Sequence, residues 1–173
     1  MASIVFIGGI NQHNHPRGGE EAKNQKLAKY LKSEQSPCQI IDTHNWKRRV
    51  AVIFISLCIY VLGQSRKKII ISASDDSAYK LLKLFHFWGV LRRNEVHYFV
   101  IGGDFAKQLK KNKYRLKTYK ALSGIYPESI AMVEEAKTLG LSNLKHVPNF
   151  REVPSPVFKT QLTEEGVVHF IYF

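Results

Sequence analysis

The chain has 173 residues, of which 45% are hydrophobic and 23% charged, and it carries a formal net charge of +12. That is the length and composition of one soluble globular domain, with at most a piece of a second. The charge surplus points to an anionic partner, either nucleic acid or an acidic membrane surface. The two cysteines, Cys38 and Cys58, lie in apolar runs and make no disulfide framework, so a reduced, cytosolic compartment is expected. No charged n-region precedes an apolar stretch at the N-terminus, so no signal peptide is expected.

Ser3 to Ile7 is a short apolar run with β-branched residues that ends at Gly8-Gly9, which fits a strand buried on both faces. Asn11 to Pro16 is a polar loop, and Gly18-Gly19 then lets the chain turn sharply into a helix. Glu20 and Glu21 fall in its first turn, where the helix dipole favours negative side chains. Ala22, Leu27 and Leu31 are expected to face the sheet, and Lys23, Lys26, Lys29 and Lys32 to face water. The glycines suit either a purely structural turn or a phosphate site. Their spacing is not Gly-x-Gly-x-x-Gly, and no P-loop Lys-Ser/Thr follows.

Cys38 to Thr43 reads as the second strand, and His44 to Arg49 as a basic loop. Val50 to Leu62 is apolar throughout and flanked by cations. It is too short to span a bilayer, which takes about 20 residues. The expectation is a helix buried against the sheet, with contact to a bilayer interface as the alternative. Lys68 to Ser74 is the third strand, and Ser74 or Asp75 is expected to cap a helix from Ser77 to Gly89. Val96 to Ile101 is the fourth strand, and it ends at Gly102-Gly103. A helix over 104–112, a weaker strand over 121–126, a helix from Ser129 to Leu139 stopped by Gly140, and a short strand from Leu144 to Val147 complete the series. The alternation predicts an α/β, Rossmann-like, doubly wound and mostly parallel sheet with helices on both faces over residues 1–150. Residues 151–166, with Pro154 and Pro156, read as a linker. Residues 167–173 read as a further strand, either the first of a truncated second domain or the last of this one.

The chain resembles the N-terminal half of a family 4 glycosyltransferase of the GT-B fold, of the kind that builds bacterial surface polysaccharides. The resemblance rests on Gly18-Gly19 opening a helix, on Tyr98-Phe99-Val100-Ile101-Gly102-Gly103, and on Glu128-Ser129 followed by Met132. It continues through Leu139-Gly140-Leu141-Ser142-Asn143-Leu144, Val147-Pro148-Asn149-Phe150 and the terminal His169-Phe170-Ile171-Tyr172-Phe173. The resemblance implies a metal-independent, usually retaining transfer of a sugar from a nucleoside-diphosphate sugar to a saccharide acceptor, which is possibly lipid-linked. It needs no cofactor. This half would hold the acceptor, and the donor-binding domain would lie beyond Phe173, leaving the fragment inactive alone. A cytoplasmic place at the inner face of the plasma membrane follows.

The candidate substrate- and phosphate-binding residues are Asn14, His15, Arg17, Gly18 and Gly19 in the first loop, Gly102 and Gly103 after the fourth strand, and Glu128. Asp75 and His13 are the catalytic candidates, and no metal ligand is expected. Each has a plainer reading: a helix cap for Asp75, a solvated loop for His13 and His15, a surface charge for Arg17. A membrane or anion patch is expected at Lys107, Lys110, Lys111 and Lys113, and another at Trp88, Arg92 and Arg93. A nucleic-acid-binding protein is a competing class, but no recognition-helix, zinc, RNP or KH signature is present, and no nucleic-acid partner is expected. A dinucleotide-dependent oxidoreductase is another, with Asp42 as its possible ribose ligand.

Overall fold

The computed structural model describes residues 3–11, 15–33 and 37–148. His13, Asn14, the linker over 151–166 and the strand expected over 167–173 lie outside the described residues. Five strands form one wholly parallel sheet in the order β2-β1-β3-β4-β5: β1 (Ile4–Gly8), β2 (Cys38–Asp42), β3 (Lys68–Ser74), β4 (Glu95–Ile101) and β5 (Gly124–Tyr126). Ile4 pairs with Cys38 on one side and Lys68 on the other, so β1 and β3 are central and their apolar runs are buried.

Side-chain alternation splits the core in two. Val5, Ile7, Ile69, Ile71, Val96, Tyr98 and Val100 pack on one face, and Phe6 packs on the other with Ile10, Leu27, Ala28 and Leu31. Helix α1 (Gly19–Ser33) supplies the second cluster. Helix α2 (Val50–Leu57), α3 (Asp75–Phe87), α5 (Phe105–Lys111), α6 (Lys113–Lys120) and α7 (Ile130–Thr138) supply the first, and a short α4 (Val90–Arg93) leads into β4. This is the Rossmann-like, helix-flanked parallel sheet that the alternation predicts.

Helix α1 is seated by a close approach. Asn24 Nδ2 donates to the carbonyls of Gly9 and Ser72, each at 3.1 Å. A Cβ on Gly8 would stand 2.7 Å from the Ser72 carbonyl oxygen, so only glycine fits there.

The structure corrects four local expectations. Lys23 does not face water: it is buried, with Nζ 2.5 Å from Glu128 Oε1 and 3.2 Å from the Val100 carbonyl. α3 begins at Asp75 rather than at Ser77: of the two residues expected to cap it, Ser74 takes the position, its hydroxyl 3.2 Å from that of Ser77, and Asp75 is the first helical residue. The segment from Leu144 to Val147 makes a single bridge, Leu144 to Ile125, rather than a strand. The fourth concerns α2. It is helical, running on into a π-helical turn (Cys58–Leu62), but it is not a buried helix. Only Leu57 and Val61 are buried, while Val50, Val52, Phe54, Ile55 and Ile59 are each more than half exposed.

Candidate substrate crevice at the strand ends

The chain path fixes where a ligand can enter. β1–α1–β2 steps outward to one side of β1, and β2–α2–β3 crosses to the other side. The direction of winding therefore reverses between β1 and β3. In open α/β sheets the ligand crevice lies at the carboxyl ends of the strands, at this reversal. A cavity of about 750 Å³ lies there. Ile7, Ile71 and Ala73 of the sheet make its floor, Ile53 and Leu57 of α2 one wall, and Ala78, Leu81 and Leu84 of α3 the other. Its rim is polar: Arg17, Gly18, Glu20 and Glu21 from the β1–α1 turn, Thr43, His44, Asn45 and Trp46 after β2, and Ser74, Ser77 and Lys80 at the start of α3. An apolar floor under a few convergent polar groups is the usual make-up of a small-molecule site.

The rim carboxylates are not equivalent. Glu21 Oε2 accepts the Arg17 backbone N–H at 2.8 Å and the Asn11 amide at 3.3 Å, and Oε1 lies 3.0 Å from His44 Nδ1. This is how a side chain in the first helical turn satisfies orphan N–H groups ahead of it. Those bonds, led by the one from Arg17, hold the Glu21 carboxyl below the ordinary carboxylate range. Glu20 is pushed the other way, first by burial and then by the charge of Glu21. Two adjacent carboxyls with acidities driven apart can divide the work, one staying an anion and the other exchanging a proton.

Of the residues singled out in the sequence, Arg17 and Gly18 border this cavity. Gly19 begins α1 beside them, and His15 is exposed in the preceding loop. Gly102 and Gly103 follow β4 in open space, with Gly102 in the left-handed region at φ 87°, and they do not line the crevice. Glu128 is joined to Lys23. Asp75 also turns away from the crevice. Its Oδ1 accepts the Tyr119 hydroxyl at 2.6 Å, and Oδ2 is bonded by Arg115, which also holds Asp76. Burial pushes the Asp75 carboxyl up in spite of these partners, whereas Arg115 holds exposed Asp76 down.

The rim residues after β2 and at the start of α3 escaped the sequence reading, and so did Glu20 as a chemical group. The signal for them was the strand order itself, which makes the ends of β1, β2 and β3 meet.

The expected cationic patches differ. In the lysine stretch, Lys107 pairs with Asp104 at 3.2 Å, Lys110 with Glu135 at 2.7 Å, and Arg115 with Asp75 and Asp76. Asp104 at the head of α5, and Glu135, Asp75 and Asp76 from other elements, thus neutralise part of a run that holds no acid after Asp104. Tyr119 of that run is fully buried, while Tyr114 is exposed. At the end of α3, Phe85 is buried and Phe87 and Trp88 are exposed, edge to face at 5.9 Å. Arg93 Nη2 donates to the carbonyls of Leu62 and Trp88, each at 3.0 Å, tying the ends of the two cavity walls together. Arg92 is exposed beside it.

Among the described residues, no cluster of His, Cys, Asp and Glu could hold a metal ion, and no helix is long and apolar enough to cross a membrane. Fold and crevice define the class: a Rossmann-like α/β protein with a cavity at its topological switch point. Comparison with models of known protein families and with curated proteins gave no match.

Proposed function

We propose that the chain is the acceptor-side half of a GT-B glycosyltransferase that moves a sugar from a nucleoside-diphosphate sugar to a lipid-linked saccharide. The observation that supports this best is the crevice at the switch point, which combines an apolar slot between α2 and α3 with a rim of hydrogen-bonding and charged groups. A saccharide with an apolar tail matches that division: hydroxyls at Ser74, Ser77, Thr43 and His44, hydrocarbon over Ile53, Leu57 and Leu81. Glu20, whose carboxylate is made more basic by burial, is the rim group suited in its ionised form to take the proton of the attacking hydroxyl. Arg17 and the N–H groups of Gly18 and Gly19 are suited to the charge that develops on the departing diphosphate. In such an enzyme the other half holds the donor, and this half serves the acceptor. A lipid-borne acceptor sets the protein at the inner face of the plasma membrane, peripheral to it.

The test is an NMR titration of the full 173-residue chain with an alkyl glucoside and, separately, with UDP, NAD and duplex DNA. The glucoside is expected to shift the amides of Thr43 to Trp46 and of Ser77 to Leu81. Ser77→Trp, which fills the mouth of the crevice, is expected to weaken it about tenfold. A response to NAD or DNA, with none to the glucoside, overturns the reading.

A further inference from the structure

The crevice leaves one feature of the same wall unused. Its inner side, Ile53 and Leu57, faces the cavity, but its outer side is apolar and in water. Val52, Phe54, Ile55 and Ile59 are each more than half exposed on one segment. A helix that is apolar all round normally lies inside a protein or a membrane. This one, continued by its π-turn over residues 50–62, is too short to span a bilayer.

The surroundings narrow what covers it. No acidic residue lies between Asp42 and Asp75, whereas Lys47, Arg48 and Arg49 precede the helix and Arg66, Lys67 and Lys68 follow it. Lys47, Arg48 and Arg66 are exposed, at opposite ends of the apolar face. Trp46 is exposed at the N-terminal end. An exposed apolar face on a helix whose other side packs on the protein, with cations at both ends and an aromatic ring beside them, suits docking on an anionic membrane interface. A second copy of the chain fits less well: a two-fold pairing through this face would set its cationic ends against one another.

We infer that the outer face of residues 50–62 docks on an anionic lipid bilayer. Phe54, Ile55 and Ile59 enter the headgroup boundary, and Lys47, Arg48 and Arg66 meet lipid phosphates. The inference deepens the peripheral placement proposed above and rests on it, but not on sugar transfer. Docking by this wall would bring the apolar slot between α2 and α3 next to the bilayer surface.

The experiment is co-sedimentation of the full chain with phosphatidylcholine vesicles, with and without phosphatidylglycerol and with no saccharide present. It therefore reads docking whatever the crevice binds. Binding is expected only with phosphatidylglycerol and should weaken with salt. The pair Phe54→Glu and Ile55→Glu should lower it at least about tenfold, and Lys47→Glu with Arg48→Glu also about tenfold. Lys107→Glu with Lys113→Glu should lower it less than about threefold. In the Trp88→Phe chain, where Trp46 is the remaining tryptophan, anionic vesicles should shift the emission to the blue. All three pairs alter exposed residues, and an unchanged thermal melt shows that they fold. The inference is overturned by equal binding to neutral vesicles, by no binding, or by binding that survives Phe54→Glu and Ile55→Glu. It is likewise overturned by a dimer that those substitutions dissolve, because the face then belongs to a second copy.

Discussion

Helices α2 and α3 wall the same cavity and pack on the same face of the sheet, yet they meet water in opposite ways. α3 is amphipathic: Ala78, Leu82 and Phe85 are fully buried, and its acidic start is clamped by Arg115. α2 is apolar around its circumference and buries one residue of its own, Leu57. Composition alone would make α2 the more deeply buried of the two. The difference teaches that a helix is buried only as far as neighbours are available to cover it. β2, beneath α2, is an edge strand, so a helix there has structure on one flank only. At an apolar surface left over in such a place, contact with something outside the domain is expected.

The largest expected effect is the contrast in stability between the two walls. Phe85→Ala removes a fully buried ring and should cost about 3–5 kcal/mol. Phe54→Ala should change stability by no more than about 0.5 kcal/mol, as for a surface site. Urea denaturation of both variants checks this. Equal costs would mean that α2 is covered after all, and the contrast would vanish.

Next comes the clamp on α3. Arg115 is largely buried beside Asp75, and removing it leaves a carboxylate out of water without its cation. Arg115→Met should cost about 3 kcal/mol at neutral pH. The sign of the pH dependence follows from both acids. Asp75 already has a raised pKa, and losing Arg115 raises it further, so the penalty of keeping it ionised disappears once it is protonated. Asp76 has a lowered pKa because of Arg115, a stabilisation present at neutral pH and lost as pH falls through its folded value. Both make the deficit of the variant shrink on acidification. Denaturation midpoints measured from neutral pH down through the carboxylate range would show the two proteins converging; parallel curves would assign Arg115 a packing role instead.

What the sequence could and could not disclose follows the range of the interactions. β3 carries its own signal, an unbroken apolar run between a basic stretch and a polar end, and its bounds agree with the reading. α7 is likewise local: the Ser129 hydroxyl accepts the Met132 N–H at 3.3 Å, and Gly140 closes the helix at φ 81°. α6 had a local signal that the density of lysines masked. Asn112 caps it, its side chain accepting the Tyr114 N–H at 2.9 Å. Lys23 and Asp75 could not be placed from their neighbours, because their partners, Glu128 and Arg115, are 105 and 40 residues away. The crevice was half legible for the same reason. Arg17 and Gly18 lie just before α1 on the connection from β1, whereas Thr43 to Trp46 and Ser77 join them only once the strand order is known. The exposure of α2 was the least legible, because hydropathy reports what a segment avoids and says nothing of what is beside it.

The smallest effect is the most discriminating. Ile55 is more than half exposed, and a β-branched residue holds a helix less well than alanine. Ile55→Ala should therefore leave the isolated chain as stable as before, or more stable by up to about 0.5 kcal/mol. The same change removes apolar area from the outer face and should weaken binding to phosphatidylglycerol vesicles. Stability and docking would thus move in opposite directions. At Leu82, inside α3, truncation should cost about 2–5 kcal/mol of stability through lost packing. Loss of both at Ile55 would place that side chain in a packed core. A gain in stability with a loss of vesicle binding would identify a residue that the domain can do without and the surface cannot.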